Sequence, residues 1–178
     1  MKLKLVALAL VTFSGAAFAD SANMVQFRGE VSTQTCSVNI NGNESNPVVL
    51  LPTVAASTLA TAGSAAGATT FTVNVTGCTA NADSSTAIKT VFAGNNVTSN
   101  GNLGNTGDAT NVSIQLLDSD ANTALSFSSG SVATTSAMTL ASGATSTSQD
   151  LVARYYAEST GVTAGSVIAT AQYAISYQ

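Results

Sequence analysis

The sequence predicts an all-β domain, a sandwich built from many short strands. Apolar and polar residues alternate with period two in several separate runs, which is the pattern of half-buried strands. Turn residues separate these runs, most clearly Asn41-Gly42-Asn43 and Asn100-Gly101. No convincing long helix interrupts the series. Short strands joined by turns favour two sheets packed face to face.

The predicted strands follow one another along most of the chain. They are residues 24–31, 35–40, 70–76, 87–92, 112–117, 123–127, 151–157 and 166–178, with one more around 138–140. Pro52 limits the apolar residues 48–51 to an edge or irregular role, because proline cannot donate to a sheet ladder. The Ser, Thr and Gly content of residues 54–68 favours a loop over a helical turn.

The first nineteen residues have the three parts of a secretory signal. Residues 1–4 are basic, residues 5–13 are apolar, and Ala17-Phe18-Ala19 is a small-x-small cleavage site. The apolar run is too short to span a bilayer. We therefore expect residues 1–19 to be removed and the mature, exported chain to begin at Asp20.

The charge balance excludes one class of partner. The 178 residues contain five basic and nine acidic side chains, and only Arg28, Lys89 and Arg154 remain basic after cleavage. The mature side-chain net charge is then −6, with no basic patch to neutralise phosphates. A nucleic-acid partner is not expected. The 159 remaining residues suit one domain with a real core.

The two cysteines, Cys36 and Cys78, predict a single disulfide in an exported chain. Closing this loop of about 42 residues stabilises the fold by roughly 4 kcal/mol in the chain-entropy model. A redox pair or a metal site is the alternative. It lacks C-x-x-C spacing and any histidine.

The sequence predicts no enzyme, no cofactor and no metal site. It contains no histidine and no tryptophan, and no nucleophile-elbow, P-loop or dinucleotide-binding motif in context. Asp118 and Asp120 lie beside Ser119 and Asn122, which indicates a turn. A weak calcium site is the alternative, although the EF-hand spacing is absent.

The opening run, residues 24–31, poses the main functional question. It is either the first strand of a closed domain or an arm meant for the sheet of another molecule. The last run, 166–178, reaches the final residue of the chain, so we expect an uncovered apolar groove beside it, an aggregation hazard that an incoming strand would remove.

Three features together resemble the pilin subunits of chaperone–usher fimbriae, in particular the major pilins of type 1 fimbriae. They are the run from Val25 to Val31 leading to Cys36, the second cysteine after an alternating strand, and an ending with Gly165 and the penultimate Tyr177. The resemblance covers the whole mature chain. It implies an immunoglobulin-like sandwich that lacks its last strand and is completed by a donor strand from another subunit.

The resemblance also implies a role for individual residues. Residues 20–31 would be the donor extension, with Val25, Phe27, Gly29 and Val31 facing inward and Gly29 at a place too tight for a side chain. Residues 32–178 would be the pilin domain. The acceptor strand, which a periplasmic chaperone also recognises, would present Gly165, Val167, Ala169, Ala171, Tyr173, Ile175 and Tyr177.

The function expected from this resemblance is structural. Copies of the chain would polymerise head to tail by donor-strand exchange at an outer-membrane usher, forming a fimbrial shaft on the cell surface that supports adhesion. Adaptor and tip subunits are possible further partners. A minor adaptor pilin, a single-domain adhesin or lectin of the same fold, and a self-complemented monomer are the alternatives.

Overall fold

The computed structural model describes residues 36–79, 81–127 and 132–178. These residues form nine β-strands and one 3-10 turn, Ala56–Leu59. The strands are β1 Ser37–Ile40, β2 Ala65–Thr76, β3 Thr86–Gly94, β4 Leu103–Gly104, β5 Val112–Leu117, β6 Val132–Thr134, β7 Met138–Leu140, β8 Thr147–Ala157 and β9 Ala171–Tyr177. In this part of the chain no helix is long and apolar enough to cross a membrane.

The strands are arranged in two antiparallel sheets. The first has the order β1-β2-β8-β5-β4. The second is built around β3, which pairs with β9 along one edge from Ile88 to Gly94. Strands β6 and β7 pair with different parts of β3, so they share its opposite edge. The predicted all-β sandwich is confirmed.

The core lies between the sheets and follows the period-two pattern of the sequence. Alternate residues of β2, Phe71, Val73 and Val75, are buried, and Ile88 and Phe92 of β3 meet them from the other sheet. The rings of Phe71 and Phe92 pack edge to face with centroids 6.5 Å apart. The predicted disulfide joins Cys36 to Cys78 and so ties the entry to β1 to the end of β2.

Three local predictions need correction. Residues 123–127 do not form a strand, because Leu125 N–H bonds Leu116 while Phe127 N–H bonds Gly101, so no continuous ladder develops. Residues 54–68 are more than a loop, since they contain the 3-10 turn and the start of β2. The strands β4 and β6 are additions to the predicted set.

A half-buried carboxylate organises the loop before β4. Glu158, directly after β8, accepts hydrogen bonds from the side chains of Thr98, Asn100, Asn102 and Ser113. Burial acts to raise the pKa of Glu158, but the donated hydrogen bonds together outweigh it and hold the pKa below its ordinary value. The glutamate therefore contributes to stability as an ionised group.

Replacing this carboxylate by an amide should destabilise the fold in a pH-dependent way. In Glu158→Gln an amide N–H₂ group replaces one carboxylate oxygen and faces at least one of these side-chain donors, which then loses its acceptor. We therefore expect the free energy of unfolding at pH 7 to fall by about 1–3 kcal/mol. The carboxylate's contribution is complete above the ordinary pKa of 4.5 and is lost as the pH falls through the lower folded-state pKa. Urea unfolding from pH 7 to pH 3 measures both effects.

A matched control is Asp150→Asn on the exposed face of β8, where the carboxylate accepts from the Thr72 hydroxyl at 2.7 Å. Its effect should be much smaller. Equal losses of stability in the two variants at pH 7 would contradict the role given to Glu158.

Candidate functional site

An apolar groove of about 1040 Å³ runs along one side of the sandwich. Its floor consists of core residues from both sheets, among them Phe71, Phe92 and Ile114. Two stretches of chain form its sides, and we call them wall one, residues 166–177, and wall two, residues 47–51. Glu44 is the one charged side chain among the described residues that line it.

The side chains of wall one alternate as the sequence predicts. Its odd-numbered residues pack against the core, and none of them is fully buried. They are Val167, Ala169, Ala171, Tyr173, Ile175 and Tyr177. The even-numbered residues from 166 to 174 are exposed. A row of apolar side chains thus faces the core while remaining incompletely covered.

The backbone of β9 also has an uncovered side. Gln178 N–H bonds the carbonyl of Ala87 at 2.9 Å, and the register then places Gln172 and Ala174 in hydrogen-bonded pairs with β3. In an antiparallel ladder the intervening residues point their N–H and C=O groups the other way. Ala171, Tyr173 and Ile175 therefore direct theirs to the opposite edge, and among the described strands β9 pairs with β3 alone.

Residues 166–170 are extended but not part of the predicted strand. Strand β3 ends at Gly94, opposite Ala171, so no strand remains for them to pair with among the described residues. The loop 105–109 takes its place: Thr106 N–H bonds the carbonyl of Ile168 at 2.8 Å, and Ala109 N–H bonds that of Ser166 at 3.0 Å. The alternation of wall one thus begins at residue 166, before the start of β9.

Wall two alternates in the same way without joining a sheet. Val49 and Leu51 pack against the core, while Val48 is 72% exposed and Leu50 is 82% exposed. Within the described part of the chain, no backbone hydrogen bond holds residues 47–51. The irregular role predicted for this proline-bounded stretch is confirmed.

The two walls run in opposite directions. The backbone N–H of Cys36, which precedes wall two along the chain, donates to the Tyr177 hydroxyl at the end of wall one at 3.2 Å. Thr53 and Val54, beyond wall two, line a cavity together with Gly165 and Val167. The groove is therefore bounded by two antiparallel, extended stretches.

That second cavity, of about 340 Å³, adjoins the groove. Tyr155 and Val167 line both spaces and stand between them. Gly165 lines the small cavity and not the groove, and a Cβ on it would come within 2.6 Å of the Ala109 nitrogen. The structure thus separates Gly165 from the other wall residues named from the sequence.

The remaining predicted residues fall into two sets. Val25, Phe27, Gly29 and Val31 lie outside the described residues. Ile175 and Tyr177 pack on the core at the end of wall one, next to the part that lines the groove. Sequence reasoning missed wall two as part of the site, although the uninterrupted apolar run of residues 48–51 was its signal.

The acidic pair in the turn after β5 has a structural role. The Asp120 carboxylate accepts from the backbone N–H groups of Asn122 and Thr123 and from the Thr123 hydroxyl. That hydroxyl is the main cause of the lowered pKa of Asp120. The predicted turn is confirmed, and the described residues contain no cluster of three potential metal-ligating side chains.

Comparison with known proteins identifies the family. A model of the fimbrial protein family matches residues 25–178. The chain belongs to the fimbrial protein family. It is 39% identical over 162 residues to the F17 fimbrial protein of Escherichia coli, covering 86% of each. It is 35% identical over 162 residues to the major fimbrial subunit SMF-1 of Stenotrophomonas maltophilia, covering 86% of this chain and 90% of the relative.

Solved structures of fimbrial proteins share the fold. A Burkholderia pseudomallei antigen and type I fimbria protein matches with a TM-score of 0.57 at 27% identity, covering 82% of this chain and all of its own. The P pilus rod subunit PapA matches with a TM-score of 0.58 at 18% identity, covering 80% of this chain and 99% of its own. The resemblance to chaperone–usher pilus subunits is confirmed, and the relatives are structural subunits rather than enzymes.

The hydrogen bond from Cys36 N–H to the Tyr177 hydroxyl holds the end of wall one, and its contribution to stability can be measured. Tyr177→Phe keeps the ring but removes the acceptor for Cys36 N–H, so the free energy of unfolding should fall by about 1 kcal/mol. Urea unfolding under oxidising conditions measures it. Tyr156→Phe, a half-buried tyrosine of β8, is the control, and equal effects of the two changes would contradict the assignment.

Proposed function

We propose that this fimbrial protein is a pilus shaft subunit whose groove accepts an extended segment from another copy of the chain. The observation that carries the proposal is the groove between the two walls, which combines an uncovered backbone edge with a row of half-buried apolar side chains. Adding a strand there satisfies both at once, through ladder hydrogen bonds and alternate side chains placed in the groove.

The proposed occupant is the extension of residues 20–31. Its residues Val25 to Val31 span roughly 20 Å when extended, which equals the extended length of the groove-lining part of wall one, from Val167 to Tyr173. Their alternation would place Val25, Phe27 and Val31 toward the core. Burying these three side chains contributes roughly 5–9 kcal/mol before ladder hydrogen bonds and the cost of ordering.

The two adjoining cavities suggest which way the segment lies. Tyr155 and Val167 line both the groove and the small cavity, so we place the residue without a side chain opposite them. With Gly29 at this place, Val31 enters the small cavity while Phe27 and Val25 occupy the groove. The segment then runs antiparallel to β9.

The remaining parts of the proposal follow from the fimbrial family. The subunit would be exported through the periplasm, held there by a chaperone that occupies the groove, and transferred at an outer-membrane usher into the growing fimbria. Covering the groove during export removes an exposed sheet edge and apolar face, which otherwise promote aggregation. A role in the shaft is favoured by the relatives named as a major fimbrial subunit and a rod subunit.

Paired substitutions on the extension test donor-strand exchange. Phe27→Asp would place a carboxylate in the apolar groove at a cost of several kcal/mol, so assembly should fall roughly 1000-fold or more. Gln26→Asp changes the neighbouring residue, which would face outward in the proposed arrangement, and should assemble normally. Electron microscopy of cells expressing each variant counts the fibres, and normal fibres from Phe27→Asp would refute the proposal.

Two further changes on the extension sharpen the test. Deleting residues 20–29 should abolish fibres, and fibres that persist would show that the extension is not the donor. Gly29→Leu should slow assembly, because in the proposed arrangement the added side chain would meet Tyr155 and Val167. Unchanged assembly kinetics of Gly29→Leu would show that Gly29 lies elsewhere.

A further inference from the structure

The part of wall one that precedes β9, residues 166–170, is bonded to the loop 105–109 by backbone groups and by several side chains, among which Asn105 makes the most contacts. The Asn105 Oδ1 atom accepts from the backbone N–H of Ile168 at 2.8 Å and from that of Gly107 at 2.8 Å. Its Nδ2 atom donates to the carbonyl of Ala109 at 2.7 Å. Asn105 thereby shapes its own loop and binds that loop to the wall.

The loop and the wall are in direct backbone contact at this point. A Cβ on Gly107 would collide with the carbonyl oxygen of Ser166, and one on Gly165 would collide with the backbone of Ala109. Thr106 and Ala109 add backbone hydrogen bonds to Ile168 and Ser166. The loop thus stands where an extension of β3 would otherwise lie.

This contact decides where the neighbouring residues of the wall point. Because the backbone of Ser166 and Ile168 bonds the loop on one side, Val167 and Ala169 turn their N–H and C=O groups to the other side, toward the groove. Their side chains face the core. The uncovered backbone edge of wall one therefore extends from Ala171 back to Val167, although residues 167–170 are not part of the sheet.

We propose that Asn105 is a positioning residue for strand addition, which sets the part of the wall that receives the Gly29 to Val31 end of the incoming segment. The inference rests on the proposed function and adds a specific residue to it. The amide is suited to this task because one side chain supplies both an acceptor for the wall and a donor for the loop. Ala171, Tyr173 and Ile175 are held by the pairing of β9 with β3 instead. Their positions should not change when the Asn105 side chain is removed.

A double-mutant cycle between groove and segment tests the role of Asn105. The acceptor is the purified, oxidised chain with Phe27→Asp, which disables its own extension but leaves its groove intact. The ligands are fluorescent peptides of residues 20–31 with the natural sequence, Val31→Ala or Val25→Ala, and anisotropy gives their dissociation constants. The acceptor is compared with and without Asn105→Ala.

On the natural groove each peptide substitution should weaken binding about tenfold, as expected for the loss of two methylene equivalents. On the Asn105→Ala groove the Val31→Ala penalty should shrink to about twofold, while the Val25→Ala penalty stays tenfold. Asn105→Asp keeps the acceptor for Ile168 N–H but loses the donor to the Ala109 carbonyl, so it should retain only part of the Val31 penalty. Asn95→Ala, which removes only a side-chain contact with Thr170, should leave both penalties unchanged.

The outcomes separate this inference from the proposed function. If the natural groove binds none of the peptides, the proposed function fails. If it binds them but Asn105→Ala lowers all affinities by one common factor, Asn105 is merely structural and the inference is wrong. Coupling to Val25 in place of Val31 would also overturn it. If Asn105→Ala does not fold, Asn105→Asp takes its place, and one common factor on all three affinities would overturn the inference equally.

Discussion

A β-strand has two edges, and each must be hydrogen-bonded or protected, because buried backbone N–H and C=O groups without partners are costly. In the second sheet of this protein, β3 uses both of its edges, with β9 on one side and β6 and β7 on the other. Among the described strands β9 bonds β3 alone. The groove, its half-buried side chains and the proposed assembly all depend on this one-sided pairing.

The two walls of the groove are supported in different ways. Wall one is held by hydrogen bonds along most of its length, first to the loop that carries Asn105 and then to β3. Wall two is held within the described residues by the packing of Val49 and Leu51 alone. A regular edge and a loosely held opposite side suit the proposed addition of a strand between them.

The polar composition of the chain has a structural meaning in this fold. Charged residues are few, and several of the polar side chains hold loops in place by hydrogen bonds to their backbone or side chains. Asp120 bonds the turn after β5, Asn105 bonds the loop beside wall one, and Glu158 gathers the loop before β4. Such local bonds allow short strands to be joined at defined angles without long apolar loops.

The sequence by itself determined the class of fold, because period-two alternation can be read without knowing which strands meet. It also determined the pairing of two cysteines and the apolar face of residues 167–177. It could not show that the strand begins only at Ala171, since the alternation continues wherever any neighbour holds the backbone. Only the tertiary structure decided that a loop replaces β3 beside Ile168, that residues 47–51 form the second wall, and that Gly165 lines a separate cavity. These features arise from contacts between residues distant in sequence, and local patterning carries no record of such contacts.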